Sequence, residues 1–146
     1  MKKLIIMLFV VAFFAACSKE TNTPLSFSSK TGEMIIAPQF DDANNFSGGL
    51  ASIRIGDEKT GKYGFIDKEG KIVINPQFDY ASAFSEGLAS IRIGDEKTGK
   101  YGFIDKEGKI VINPQFDWVA SFNVQENLIP VTVTQNGKKV MGYISR

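Results

Sequence analysis

The sequence contains no histidine and a single cysteine, Cys17. The missing histidine excludes a Ser-His-Asp triad and a histidine-based zinc site, and it removes the usual general base at neutral pH. One cysteine permits no intramolecular disulfide and no cysteine cluster for a metal. Seventeen Lys and Arg residues against sixteen Asp and Glu residues give a net charge of +1, so no basic excess indicates nucleic-acid binding. We therefore expect no metal, no cofactor and no nucleic-acid partner.

The longest apolar run lies near the N-terminus. Met1 to Lys3 is a short basic start, and the thirteen residues 4–16 (LIIMLFVVAFFAA) are apolar throughout. A run of this length fits the core of a secretory signal peptide and is short for a transmembrane helix, which needs about 20 residues. The chain then turns polar from Ser18 to Pro24, as is typical of a flexible tether.

Phe14-Ala15-Ala16-Cys17, followed by Ser18, resembles the lipobox of bacterial lipoproteins, with Phe where Leu is usual. The resemblance implies a lipoprotein signal peptide at 1–16, a lipidated Cys17 with its tether at 17–24, and a membrane-anchored protein on the extracytoplasmic side. Ser18, in place of Asp, implies the outer membrane if the cell has one. An uncleaved anchor, or an ordinary signal peptide with an incidental cysteine, is the alternative.

The rest of the chain is repetitive. Residues 49–79 and 87–117 are identical (GLASIRIGDEKTGKYGFIDKEGKIVINPQFD) and begin 38 residues apart. Residues 32–50 are a more divergent copy, and residues 128–144 are another that follows a two-residue insertion. Residues 25–146 therefore form about three units, near 25–61, 62–99 and 100–146. Repeats of this period usually build arrays in which neighbouring units bury their apolar faces on each other.

Each unit contains three predicted strands. Residues 51–55 (ASIRI) alternate between small or apolar and polar residues, and residues 62–67 (KYGFID) are rich in aromatic and β-branched side chains. The third strand is expected over residues 71–75 and is expected to end at Pro76, because proline donates no hydrogen bond to a sheet. The pattern predicts an all-β fold of tandem hairpins or meanders in an open array. A closed, pseudo-threefold barrel of the β-trefoil type is the alternative.

The unit KYGFIDKEGKIVINPQFDYASAFSEGLASI resembles the bacterial WG (or KWG) repeat. The shared features are the strand ending in Ile-Asp, the glycine turn, the apolar strand with Pro-Gln-Phe-Asp, and the Phe-Ser-Glu-Gly-Leu-Ala segment. Tyr63, Tyr101 and Met141 stand where the family has tryptophan. The resemblance implies an all-β repeat array used for binding or display, with no catalytic activity.

Two patterns mimic chemical sites. Gly56 to Lys62 fits the phosphate-loop spacing G-x-x-x-x-G-K, but Tyr63 follows instead of Ser or Thr, and a strand follows instead of a helix. We interpret this segment as a hairpin loop. Asp57 and Asp67 fall in turns, where aspartate favours local backbone hydrogen bonds, so we do not interpret them as paired catalytic carboxylates or calcium ligands.

Four residues form the candidate binding surface. Tyr80 and Trp118 occupy equivalent positions just after the identical block, where the first copy has Asp42. Such amphipathic rings are enriched at binding hot spots, and packing against the next unit is the alternative. Arg54 and Arg92 lie on the polar phase of their strands, either as solvated charges that oppose edge-to-edge pairing or as a repeated basic stripe.

These features predict a lipid-anchored, extracytoplasmic and non-catalytic binding or display module at the cell envelope. Its partners would be the membrane, through the lipid, and an unidentified envelope protein or polymer. A purely structural spacer is the second hypothesis. A carbohydrate-acting envelope enzyme is the remote third, with residues 118–135, where the repeat pattern breaks, as its best location.

Overall fold

The computed structural model describes residues 34–120 and 127–145, which form eleven β-strands and no helix. The strands are β1 (Asp42–Ala43), β2 (Ala51–Ile55), β3 (Lys62–Ile66), β4 (Ile72–Phe78), β5 (Tyr80–Ala81), β6 (Ala89–Ile93), β7 (Lys100–Ile104), β8 (Ile110–Phe116), β9 (Trp118–Val119), β10 (Leu128–Gln135) and β11 (Lys138–Ser145). The described part of the chain contains no helix long and apolar enough to cross a membrane. The predicted signal peptide, Cys17 and the tether lie outside the described residues.

The strands form three antiparallel sheets that follow one another along the chain. Sheet 1 has the order β1-β2-β3-β4, sheet 2 the order β5-β6-β7-β8, and sheet 3 the order β9-β10-β11. Among the described strands, hydrogen-bonded pairing occurs only between members of the same sheet. The prediction of an all-β, open array of repeated hairpins is confirmed. The trefoil-type alternative is wrong, because no described strand joins the sheets into a closed barrel.

The loops within each sheet are short, and hydrogen bonds between their own residues stabilise them. In the β2–β3 loop, Asp57 Oδ1 accepts hydrogen bonds of 2.8 Å from the backbone N–H groups of Lys59 and Thr60. These bonds lower the pKa of Asp57, the largest contribution being the Thr60 hydroxyl that donates to its other carboxylate oxygen. The segment that mimics a phosphate loop is therefore a hairpin loop. Gly70 has φ of 82° in the β3–β4 turn, where glycine avoids the strain of a left-handed backbone.

The prediction that the third strand ends at Pro76 is wrong, because β4 continues through this residue. Tyr63 lies opposite Phe78 and Phe65 lies opposite Ile74, so a bulge separates the two pairs. Proline is tolerated in bulges, where its missing N–H interrupts no ladder. The same bulge recurs at Pro114 in β8.

The bulge explains why a glycine follows the large residue in each unit. A Cβ at Gly64 would lie under 3.0 Å from the Ile74 carbonyl oxygen and from the Pro76 nitrogen, and Gly102 is enclosed in the same way by β8. The backbone of the third strand thus crosses directly over this glycine. Among residues 34–120 and 127–145, no heavy atom lies within 4 Å of the Cβ position of Gly142 in β11, because no described strand lies on that side of β11.

The hydrophobic core lies between successive units. Cluster 1 joins sheet 1 to sheet 2, and cluster 2 joins sheet 2 to sheet 3 through equivalent positions. Cluster 1 comprises Leu50, Phe65, Ile74, Phe78, Ala81, Phe84, Ala89, Ile91 and Ile104. Cluster 2 comprises Leu88, Phe103, Phe116, Val119, Ile129 and Val131. Cluster 3 comprises Ala51, Ile53 and Ile66, which belong to β2 and β3 of sheet 1, with Ile36 and Phe40 packed against them.

The carboxylate of Asp79 links sheet 1 to sheet 2 through hydrogen bonds. Asp79, between β4 and β5, accepts a hydrogen bond from Lys62 Nζ in β3 and one of 2.8 Å from the Gly94 N–H after β6. Burial opposes ionisation of Asp79, but the Lys62 hydrogen bond, the Gly94 N–H and the charges of Lys62 and Arg92 outweigh it and hold the pKa below its ordinary value. The carboxylate therefore links the two sheets while ionised.

We predict that Asp79→Asn destabilises the fold by about 1 kcal/mol at pH 7, because a half-exposed ion pair contributes modestly. Since the pKa of Asp79 is lower in the folded chain, its contribution is present above the ordinary aspartate pKa and is lost as the pH falls through the folded value. Urea unfolding should show a clear difference between wild type and variant at pH 7 and a smaller one near pH 3. Glu58→Gln, in an exposed loop, is the control, and an equal Asp79→Asn effect at both pH values would contradict the assignment.

Candidate functional site

The register of sheet 2 places three of its polar or aromatic residues in one cross-strand row. Tyr80 in β5 lies opposite Arg92 in β6, and Arg92 lies opposite Tyr101 in β7. Directly opposed residues in an antiparallel sheet point to the same face. Two of the predicted binding residues, Tyr80 and Arg92, are thereby brought together with Tyr101.

The rings extend this row across the boundary between sheets. The ring centroids of Tyr63 and Tyr80 are 5.9 Å apart, and those of Tyr80 and Tyr101 are also 5.9 Å apart. Both pairs are inclined, at 55° and 66°, which are favourable arrangements for aromatic contacts. Tyr80 therefore packs between two units and yet retains 38% exposure, so its contact with the array leaves much of the ring accessible.

Arg92 is held against these rings. Its Cζ atom lies 6.0 Å from the Tyr80 centroid and 5.8 Å from the Tyr101 centroid, within the range of cation–π contacts. Its Nη1 donates to Tyr101 Oη and its Nε donates to the Gly94 carbonyl, both at 3.3 Å. These contacts fix the guanidinium and give the surface one oriented positive charge.

The hydroxyls of Tyr63 and Tyr80 have raised pKa values and stay protonated at neutral pH. Burial raises the pKa of Tyr63, and the hydrogen bond that its hydroxyl donates to Asp42 Oδ2 at 3.1 Å raises it further. Burial also raises the pKa of Tyr80. Both side chains thus present a hydroxyl that can donate or accept a hydrogen bond.

A cavity of about 380 Å³ adjoins the row and reaches sheet 3. Its aromatic wall consists of Tyr80, Tyr101 and Trp118, and Phe84 and Val119 also line it. The serine residues in its lining are Ser47, Ser82, Ser85 and Ser90. Its volume and its mixture of rings with a few polar groups are typical of small-molecule binding sites. Trp118 is 46% exposed, so it borders the cavity and also faces solvent.

We call Tyr63, Tyr80, Tyr101 and Trp118 the aromatic stripe. The sequence pattern identified Tyr80 and Trp118 but not Tyr63 and Tyr101, which stand at the family's tryptophan position. The pairing of β5 with β6 and of β6 with β7, which places 80 opposite 92 and 92 opposite 101, is the signal that would have identified Tyr101. The contact between Tyr63 and Tyr80 crosses between sheets and has no such local signal.

Arg54 has a different environment from Arg92, although the two occupy equivalent positions. It lies between Asp42 and Tyr63 in its row, and its buried Nε has no hydrogen-bond partner among the described residues. Both arginines lie on interior strands with neighbours on each side, so the interpretation that they oppose edge-to-edge pairing is wrong. The rows differ from unit to unit in the side chains that they display.

The turn carboxylates of the described residues are engaged in local hydrogen bonds. No group of three or more His, Cys, Asp or Glu side chains in residues 34–120 and 127–145 is arranged to hold a metal ion. The turn aspartates are committed to local bonds, as Asp67 Oδ1 accepts from the N–H groups of Glu69 and Lys71 at 3.1 and 2.8 Å. The described surface is therefore a row of oriented rings beside a cavity.

Fold and surface together define an open β-repeat protein whose sheets present one row of side chains per unit. A family model described as "WG containing repeat" matches residues 26–58, 63–96 and 101–138. These three copies cover more than half of the chain, and the chain belongs to this family. No curated protein and no solved structure matches the chain.

Proposed function

We propose that this WG-repeat protein is a non-catalytic binding module, anchored by lipid at the extracytoplasmic side of a membrane, that engages an envelope protein or polymer through the aromatic stripe. One observation carries the binding role. Tyr80 and Trp118 remain 38% and 46% exposed beside the cavity, whereas the repeated Phe78 and Phe116 are 4% and 7% exposed. Because the Tyr80 ring is held between Tyr63 and Tyr101 and beside Arg92, it has lost much of its freedom before binding, which lowers the entropic cost of association.

The repeated display of equivalent side chains favours a partner that is itself repetitive. The rows of sheets 2 and 3 present Tyr80 and Trp118 at equivalent positions 38 residues apart. Weak contacts at successive positions add through effective concentration when a partner spans them. A polymer or an oligomeric protein at the envelope would gain from this arrangement, and a single small ligand would not.

Replacing the two most exposed rings tests the binding role. We expect the full-length double variant Tyr80→Ala/Trp118→Ala to lose at least about tenfold in partner capture, since interface aromatics commonly contribute more than about 1 kcal/mol each. The measurement is crosslinking in intact cells, followed by identification of the captured species. Ile55→Ala/Ile93→Ala is the matched control, because these side chains are exposed to 43% and 48% and lie outside the stripe.

Two results separate binding from a spacer role. Unchanged capture by a folded double variant would contradict the stripe as a binding surface and would favour the structural spacer. Capture lost equally in the control variant would show that general surface apolarity, and not the aromatic stripe, is responsible. Circular dichroism of each variant establishes that the fold is intact.

Lipid anchoring rests on the lipobox-like residues before Cys17, which lie outside the described residues. We expect metabolic labelling with a palmitate analogue to mark the wild-type protein and to be abolished by Cys17→Ala, since the thiol is the acceptor. Ser18→Ala retains the thiol and should remain labelled. Equal labelling of wild type and Cys17→Ala would contradict the lipoprotein assignment without affecting the stripe.

A further inference from the structure

The rings of the aromatic stripe carry polar atoms that are available to a ligand. Among the described residues, neither the Tyr80 hydroxyl nor the Trp118 indole N–H makes a hydrogen bond. Tyr101 Oη accepts a hydrogen bond from Arg92 Nη1 at 3.3 Å and keeps its own proton to donate. Hydroxyls both donate and accept, whereas the indole N–H only donates. The stripe therefore offers apolar rings together with free donors and acceptors.

The side chains directly beside the two exposed rings are polar. Tyr80 lies opposite Arg92 in β6, and Trp118 lies opposite Thr132 in β10, so each ring has a hydrogen-bonding neighbour on the same face. This arrangement suits a ligand with an apolar face and a rim of hydroxyl groups. A pyranose ring has this character, and its positively polarised C–H groups are attracted to the negative face of an aromatic ring.

The charges along the rows are balanced by nearby charges of opposite sign. In sheet 1, Asp42 lies opposite Arg54, and the row of sheet 3 that contains Trp118 has no charged residue. In sheet 2, Arg92 lines a cleft of about 410 Å³ with one other cation and four carboxylates: Lys59, Glu58, Asp79, Asp95 and Glu96. An acidic ligand would meet these carboxylates, so the surroundings of the stripe favour an uncharged one.

The stripe runs across the strands of the array. The rings of Tyr63, Tyr80 and Tyr101 follow one another from sheet 1 to sheet 2, with successive centroids 5.9 Å apart, and Trp118 holds the position of Tyr80 in sheet 3. A ligand that follows the stripe meets side chains in succession. A peptide that joins a sheet as a further strand instead uses backbone groups at a sheet edge. The course of the stripe therefore favours a chain of similar rings over a peptide strand.

We infer that the ligand of the aromatic stripe is an uncharged polysaccharide, whose sugar rings stack on Tyr80 and Trp118. Its hydroxyl groups exchange hydrogen bonds with the Tyr80 hydroxyl and accept one from the Trp118 indole N–H. This inference rests on the proposed binding role of the stripe and specifies the chemical class of its partner. A protein partner and an acidic polymer are the competing outcomes of the test.

The test measures binding of the full-length protein, purified in a mild detergent, to cell envelopes of the organism that produces it. The envelopes are extracted with organic solvent to remove lipid, and one half is digested with proteinase K, which is then inactivated. We expect equal binding to both halves, and no change when the salt concentration is raised about tenfold, because screening weakens only charge interactions. Binding lost on digestion would identify a protein partner, and binding lost with salt an acidic polymer; either result would overturn the inference.

A conservative substitution tests the hydroxyl contact. Tyr80→Phe keeps the ring and removes only the free hydroxyl, so binding to digested envelopes should weaken by about fivefold, the effect of one hydrogen bond. Tyr143→Phe is the matched control, because Tyr143 is 71% exposed and lies outside the stripe, and it should bind as the wild type does. Equal binding by Tyr80→Phe and the wild type would contradict the assigned contact.

The double variant Tyr80→Ala/Trp118→Ala separates this inference from the proposed function. On digested envelopes it should bind at least about tenfold more weakly than the wild type, since both stacking rings are lost. If the double variant loses binding to undigested envelopes but the wild type does not bind digested ones, the polysaccharide is wrong and the binding role stands. If the double variant binds undigested envelopes as the wild type does, the binding role itself is contradicted.

Discussion

Replacing Gly102 with alanine is expected to destabilise the protein by more than about 2 kcal/mol, because the added methyl group has no space. The new Cβ would lie under 3.0 Å from the Ile112 carbonyl oxygen and from the Pro114 nitrogen. Both are backbone atoms of β8, so no side-chain rotation relieves the clash. Either the bulge opens or β8 separates from β7. Urea unfolding followed by tryptophan fluorescence measures the loss, since Trp118 begins β9, the strand that comes after β8.

The chain carries its own control for this prediction. Gly142 occupies the same motif position, and no heavy atom of the described residues lies within 4 Å of its Cβ site. We expect Gly142→Ala to change stability by no more than about 0.5 kcal/mol, and a small gain is the favoured direction, because alanine is better than glycine within a strand. Equal losses for Gly102→Ala and Gly142→Ala would show that the glycine matters for backbone freedom and not for the crossing of β8.

Phe84→Ala should be the most damaging substitution in the connectors, with a loss of about 3–5 kcal/mol. Phe84 is 1% exposed and its ring lies 4.8 Å from that of Phe65, centroid to centroid. It belongs to the cluster that joins sheet 1 to sheet 2, so its removal leaves a cavity between units and not within one sheet. Chemical denaturation of the variant is the measurement, and a loss of cooperativity between sheets should accompany the loss of stability.

Phe46 provides the comparison at the equivalent position one unit earlier. It is 43% exposed, so Phe46→Ala should lower the free energy of unfolding by less than about 1 kcal/mol. The sequences around the two phenylalanines are similar, and only the neighbouring unit differs. If both substitutions cost the same, the packing between sheets would not be the main source of stability.

The local elements could be predicted from the sequence. The alternation in residues 51–55 and the aromatic and β-branched run from Lys62 define β2 and β3, and the polar loop between them needs no tertiary partner because Asp57 satisfies its backbone. The period of 38 residues predicted cores between units, and Phe78 and Phe84 lie in such a core. These features follow from short-range patterns and from the repeat.

The features that could not be predicted depend on long-range geometry. The passage of β4 through Pro76 requires the bulge over Gly64, which involves residues ten or more apart along the chain. The environment of Arg92 depends on which strands flank β6, and its proximity to Tyr80 follows only from the register. The ring contact between Tyr63 and Tyr80 links two sheets, and no pattern within one unit contains it.

The use of equivalent positions in clusters 1 and 2 has a genetic consequence. Because residues 49–79 and 87–117 are identical, unequal exchange between the corresponding stretches of the gene would gain or lose one whole unit. The new boundary would present the same side chains as the old ones, so the altered protein would need no compensating mutation to fold. The length of such a protein can therefore vary in inherited steps of one unit, while its first and last units, which have diverged, keep both ends unchanged.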